Sequence, residues 1–197
     1  MEGTLAGMKR VLKIVGLTAL LLVVTAWAVG TWALPPDHVA SVRAAYGRPA
    51  PEVWALISDL EAWSDWNPEV DRMERRTDRD DMPLWVMFST WGEMPLLIEA
   101  FEPPTRLVTL IPADANIGYV GTWTYEVAPT ADGGSTLTLT EAGTVENPFF
   151  RFLMALSGPY GAMEAMLESV GNHFGETLEL ERIYDVEGEG QDEDAQG

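Results

Sequence analysis

Hydrophobic and polar positions follow three different periods along this chain, and the places where the period changes divide it. From Ile14 to Leu34 there is no charged side chain. At about 1.5 Å per residue such a helix just spans a hydrocarbon layer of about 30 Å. The stretch has no polar face, which argues against a helix buried in a soluble domain. Pro35-Pro36 ends it. Residues 38 to 145 then run as a first strand, two short helices and a series of strand-like segments. From Asn147 onward the spacing becomes helical.

The first strand is expected over His38 to Arg48, marked by Val39, Val42 and Tyr46. Pro51 suits the first turn of a helix, and Val53, Trp54, Ile57 and Leu60 follow at helical spacing. A second short helix or turn, Glu61 to Trp66, stops before Pro68. Val70 to Thr77 is polar and edge-like, and Asp78-Arg79-Asp80-Asp81 reads as a solvated loop. Leu84 to Thr90 is apolar on both faces, and Trp91 to Met94 reads as a turn. Leu96 to Phe101 and Leu107 to Ile111 are further strands, separated by Pro103-Pro104.

Gly118 to Val127 alternates cleanly: Tyr119, Trp123, Tyr125 and Val127 share one face. Ala131-Asp132-Gly133-Gly134 is a hairpin signal, and Ser135 to Val145 alternates Leu137 and Leu139 against Thr136, Thr138 and Thr140. A helical segment follows at Phe149 to Leu156 and breaks at Gly158-Pro159. Met163, Leu167, Val170, Phe174 and Leu178 then predict one amphipathic helix of about five turns. Beyond Asp185 the composition is that of a disordered acidic tail.

The order predicts an α+β fold: a curved antiparallel sheet closed around a long C-terminal helix, preceded by one transmembrane helix. Its expected parts are a basic N-terminus (1–13), a membrane segment (14–36), a folded domain (37–184) and the tail (185–197).

Charge fixes the direction. The formal net charge is −19, yet Lys9, Arg10 and Lys13 all precede the apolar run. After residue 36 there are nine Arg and no Lys against thirty Asp plus Glu. Positive charge stays inside, so the N-terminus is expected in the cytoplasm and the domain outside, periplasmic or extracellular. A rival reading is a cleaved signal peptide, since Ala26-Trp27-Ala28 fits a cleavage pattern and would release a secreted domain near Ala28. The acidic surface repels nucleic acid, so none is expected as a partner. Its acidity fits plain solubility or adaptation to salt. There is no Cys, which removes thiolate metal sites and Cys nucleophiles. His38 and His173 lie far apart and show no metal-ligand spacing; neither metal nor cofactor is expected.

Two stretches carry a family resemblance. Ala50-Pro51-Glu52-Val53-Trp54-Ala55-Leu56-Ile57-Ser58-Asp59 resembles the opening helix of the SRPBCC (START-like) superfamily. Trp63 through Trp66 with Asn67-Pro68 resembles its continuation, and Gly121-Thr122-Trp123 and Asn147-Pro148-Phe149-Phe150-Arg151 are similar to later elements. The resemblance covers about residues 38 to 182. It implies a helix-grip fold with a cavity between sheet and long helix, holding a lipid, sterol, polyketide or other apolar molecule. It implies no universal catalytic residue.

Trp54, Trp63 and Trp66 are expected in the core by their helical spacing. Trp85, Met87, Trp123 and Tyr125 on the strands, with Tyr160, Met163 and Leu167 on the helix, are the candidate cavity lining. The competing expectation is a filled core. Glu99 and Glu141 are the candidate acid or base groups, because each shares a strand face with apolar residues. A bulge would turn either one to solvent. His173 is expected half-exposed beside Phe174, and His38 solvated at the membrane exit.

Three functions follow: a membrane-anchored binder of a hydrophobic small molecule, a cyclase or aromatase using a cavity carboxylate, or an envelope interaction protein with a filled core. Protein partners are left open.

Overall fold

A computed structural model describes residues 2–90, 92–115 and 117–183, so the acidic tail lies outside the described residues. Helix α1 (Glu2–Trp32) contains the apolar stretch Val11–Trp32, long enough to cross a membrane or to serve as a signal sequence. Its side chains from Ile14 to Val24 are exposed.

Strand β1 (Asp37–Tyr46) leads to α2 (Ala50–Ser58), a 3-10 turn at Leu60–Ala62 and the short α3 (Trp63–Trp66). Six strands follow: β2 (Arg72–Arg79), β3 (Met82–Ser89), β4 (Gly92–Glu102), β5 (Arg106–Ile111), β6 (Tyr119–Pro129) and β7 (Ser135–Val145). Then come α4 (Pro148–Ser157), α5 (Gly161–Phe174) and a last strand, β8 (Leu180–Ile183). All eight strands form one antiparallel sheet in the order β2-β3-β4-β5-β6-β7-β1-β8. Strands β2 to β7 follow one another in sequence order, whereas β1 and β8 reach the sheet from the two ends of the folded domain. This is the helix-grip arrangement.

Strand β2 is the edge its polarity predicts. It carries Arg72, Arg75, Arg76 and Arg79, tied to Glu74, Asp78 and Asp114. Charge on an edge strand opposes pairing with another chain. The run from Asp78 to Asp81 is only partly loop. Asp78 and Arg79 continue the strand, and Asp80 and Asp81 alone turn the chain, both at positive φ. The turn before β4 is likewise tighter than the sequence suggests, since Ser89 pairs directly with Gly92 and Met94 already lies in the strand.

The long helix is shorter than its apolar period implies. It ends at Phe174, where Gly175 takes the left-handed conformation. Glu176 N donates to the Gly171 carbonyl at 2.8 Å and Gly175 N to Asn172 at 3.1 Å, a Schellman ending. Leu178 keeps its core-facing role by folding back onto Gly171, so closely that a Cβ there would lie 2.7 Å from Leu178 Cδ1. The reversal frees Leu180–Ile183 to pair with β1, a strand the sequence pattern did not announce.

Helix α5 packs on β1 and β7, and α2 packs on β6 and β7. Val42, Leu107, Leu137, Leu139, Met163, Leu167 and Val170 are fully buried between these layers. Trp54, Trp63 and Trp66 are buried as well. Trp63 packs against the rings of Trp66 and Tyr125, and its Nε1 donates to the Ile57 carbonyl at 3.0 Å.

Candidate functional site

Directly paired residues in an antiparallel sheet share a face, so the register shows what meets on the concave side. One row across the sheet is Ile98, Thr109, Trp123, Glu141 and Ala40. The next row toward the start of β1 is Ile111, Gly121, Gly143 and His38. Tyr119 lies beyond it on β6, and its ring folds back across the paired glycines. A Cβ on either Gly121 or Gly143 would lie 2.4 Å from the Tyr119 hydroxyl.

The result is a polar cluster on an apolar wall. Glu141 is buried, and its Oε1 stands 3.4 Å from His38 Nε2. Side-chain exposure is 10% for Glu141 and 18% for His38, so the pair is largely withdrawn from solvent. The Tyr119 hydroxyl faces the same carboxylate. Neither that hydroxyl nor His38 Nε2 makes a well-aligned hydrogen bond, although both atoms are sealed from solvent. Both groups instead face the Glu141 carboxylate, so the three side chains form one buried polar cluster.

Three phenols here resist ionisation. Burial, and then the nearby Glu141 charge, push Tyr119 and Tyr125 well above the ordinary tyrosine value. Burial, then Glu176, does the same for Tyr46, whose hydroxyl donates to the Leu167 carbonyl at 3.1 Å. Because the folded-state value is raised, the native state holds these protons more tightly than the unfolded chain. The associated stability is complete below the unfolded value near 10 and is lost as pH rises above it. Ultraviolet titration is expected to show no ionisation of Tyr46, Tyr119 or Tyr125 until the domain unfolds, in one cooperative step above pH 10. Smooth ionisation of all five tyrosines near pH 10, with the fold intact, would contradict their burial.

The sequence candidates separate into three groups. Tyr125, Met163 and Leu167 are buried in the interior beneath α5. Trp85, Met87, Trp123 and Tyr160 are half-buried. Trp85, Met87 and Trp123 lie on the concave face with Met94 and Ile98, which are also half-buried. Of the two carboxylates, only Glu141 points inward. Glu99 is exposed because β4 carries a bulge between Ile98 and Ala100 that turns it away.

His173 is exposed and stacks edge-on with Phe174. His38 is the residue the sequence reading placed wrongly. The inward face of β1 is His38, Ala40, Val42, Ala44 and Tyr46, while Val39 is 59% exposed. That period-two pattern was present in the sequence. Taking Val39 as the inward marker hid it.

A cleft of about 190 Å³ reaches this cluster from outside. It is lined by Leu34, Pro36, His38, Arg151, Met154 and Pro159, between the exit of α1 and α4.

A curved antiparallel sheet gripping a helix, with a buried carboxylate and imidazole on its concave wall, defines a helix-grip protein. The chain belongs to the family described as polyketide cyclase / dehydrase and lipid transport, which matches residues 38–174. The fold is similar to that of the Zhui aromatase/cyclase from Streptomyces sp. R1128, with 11% identity, a TM-score of 0.57, and coverage of 70% of this chain and 93% of that one. It is also similar to truncated norcoclaurine synthase from Thalictrum flavum, at 14% identity and TM-score 0.57, covering 72% and 95%. The di-domain aromatase/cyclase StfQ of the steffimycin pathway is similar at 13% identity and TM-score 0.51, covering 70% of this chain and 50% of that one. No functionally curated protein matches the sequence.

Proposed function

We propose that this protein is held by α1 at the outer face of a membrane and binds a lipid-like or other apolar small molecule. The bound molecule lies on the open half of the concave face, against Trp85, Met87, Ile98 and Trp123, with a polar group at Glu141, His38 and Tyr119. The carrying observation is buried Glu141 on the concave wall, with His38 Nε2 3.4 Å away and the Tyr119 hydroxyl turned to the same carboxylate. Apolar burial supplies the affinity at about 25 cal/mol per Å², and the polar cluster fixes orientation. Lys9, Arg10 and Lys13, in the first half of α1, support a cytoplasmic N-terminus. The family's range, from cyclases to lipid transport, supports the ligand class.

Native mass spectrometry of the full chain released from detergent is expected to show a reproducible additional mass that extracts into organic solvent. Glu141→Gln keeps the shape of the site but not its charge. It should weaken retention about ten- to a hundredfold, the worth of one or two charge-assisted hydrogen bonds. A bare protein that also fails to bind fatty acids, sterols and polycyclic aromatic ketones would overturn the reading.

The same cluster favours a second reading. A desolvated carboxylate beside an imidazole can take a proton from a ligand, the elementary step of a cyclisation. Returning the extracted compound to stripped protein distinguishes the two. Conversion to a new mass by the native chain, absent in Glu141→Gln, indicates catalysis, and unchanged recovery indicates binding alone.

A further inference from the structure

Helix α4 leaves an apolar side uncovered. Phe150 is 49%, Leu153 41% and Leu156 71% exposed, and their i, i+3, i+6 spacing places them on one side of the helix. The sequence from Asn147 to Ser157 contains a single ionisable residue, Arg151. Arg151 points away from that side. Its guanidinium donates to the carbonyls of Gly30 at 2.9 Å, Leu34 at 3.4 Å and Glu146 at 3.0 Å. No charge is therefore available to keep the exposed side in water.

The position of α4 says what covers it. The helix is fastened to the last turns of α1, where Ala26 and Gly30 are buried. Gly30 is there because nothing larger fits: a Cβ would lie 1.8 Å from the Pro148 carbonyl oxygen. The α1 apolar stretch ends at Trp32, which is 83% exposed, with Trp27 53% exposed one turn earlier. The apolar side of α4 thus continues the lipid-facing surface of α1 at the depth where Trp side chains gather at a membrane interface. An uncharged apolar helix side held at that depth is accommodated about 5–10 Å into the boundary between headgroups and acyl chains.

We propose that α4 is a second membrane element: it lies in the interfacial layer of the bilayer, with Phe150 and Leu156 among the acyl chains. This rests on the reading of α1 as a membrane span. It gives the site a supply route, because the other wall of the same helix borders the 190 Å³ cleft that reaches His38. The Phe150 ring also borders Gly118, next to Tyr119. An apolar molecule leaving the bilayer beside α4 reaches the polar cluster without crossing water.

The chain has no Cys, so a single introduced one can be labelled alone. The full chain is reconstituted into phosphatidylcholine vesicles carrying an environment-sensitive dye at Leu156→Cys, at Leu22→Cys on α1, or at Thr138→Cys on the far face of the sheet. The expected result is quenching by spin-labelled lipid at positions 22 and 156, by aqueous iodide at 138, and by little iodide at 156. Quenching by lipid at 22 with iodide access at 156 overturns the α4 proposal and leaves the anchor intact. Protection at 156 from both quenchers assigns that side of α4 to a second copy of the chain and also overturns it. Iodide access at both 22 and 156 overturns the anchor together with the proposal.

Discussion

Gly143→Val is expected to destabilise the domain by about 3 kcal/mol, the upper range for forcing extra volume into a packed site. The physical reason is a row with no room for side chains. A Cβ at Gly143 would lie 2.4 Å from the Tyr119 hydroxyl, 2.6 Å from its Cζ and 2.6 Å from the Val120 carbonyl oxygen. The ring can swing aside, but the carbonyl belongs to the β6 backbone and can move only with the sheet. Pairing of β7 with both β6 and β1 is disturbed at once, at Gly121 and at His38. For a domain of this size the melting temperature should fall by about 6–12 °C. Adding Tyr119→Leu should recover only part of the loss, because the contact with Val120 remains. Thermal unfolding followed by circular dichroism measures both variants. A Gly143→Val protein that melts like the native one would show that the row has space and that Tyr119 is not held as described. Ligand retention should fall together with stability, since Tyr119 would leave the Glu141 cluster.

Trp63→Ala should cost still more, about 3–5 kcal/mol, as for other large aromatic truncations in a core. Trp63 is 3% exposed, packs on Trp66 and Tyr125, and its Nε1 donates to Ile57. Removing the ring opens a cavity between α3 and the sheet and orphans a carbonyl at the end of α2. Trp85→Ala makes the contrast. That side chain is half-buried on the open part of the concave face, so the cost should be under about 1.5 kcal/mol, with the main loss in ligand affinity. Denaturant unfolding of both variants checks the pair. Equal losses would mean that Trp85 is core and the concave face is closed.

These two expectations mark what the sequence could and could not supply. The Trp63–Trp66 segment was legible because helical spacing and Pro68 are local signals. The β6–β7 hairpin was legible for the same reason: its alternation and the Asp132-Gly133-Gly134 turn lie within one short stretch. Tyr119, Trp123 and Tyr125 could therefore be placed on one face, and with them the chemical flavour of the site. Glu141 followed from Leu137 and Leu139 by period two alone.

Glu99 has the same local pattern and the opposite fate. Whether a strand carries a bulge depends on how its partner is pulled by the rest of the sheet, and the partner β5 is not encoded in the four residues around Glu99. His38 was lost through a choice of register that only pairing with β7, about a hundred residues away, resolves. The end of α5 at Gly175 is a local glycine cap that the apolar period running on to Leu178 obscured, whereas β8 exists only through its pairing with distant β1. The uncovered side of α4 gains meaning only beside the exit of α1. The sequence by itself determined the elements from β1 to α4 and their order, the presence of a final helix, the apolar N-terminal segment and the family. Tertiary structure decided which carboxylate is buried and what faces it. The difference is range: periodicity and turn chemistry act over a few residues, whereas register, bulges and close backbone approach are settled by partners distant in the chain.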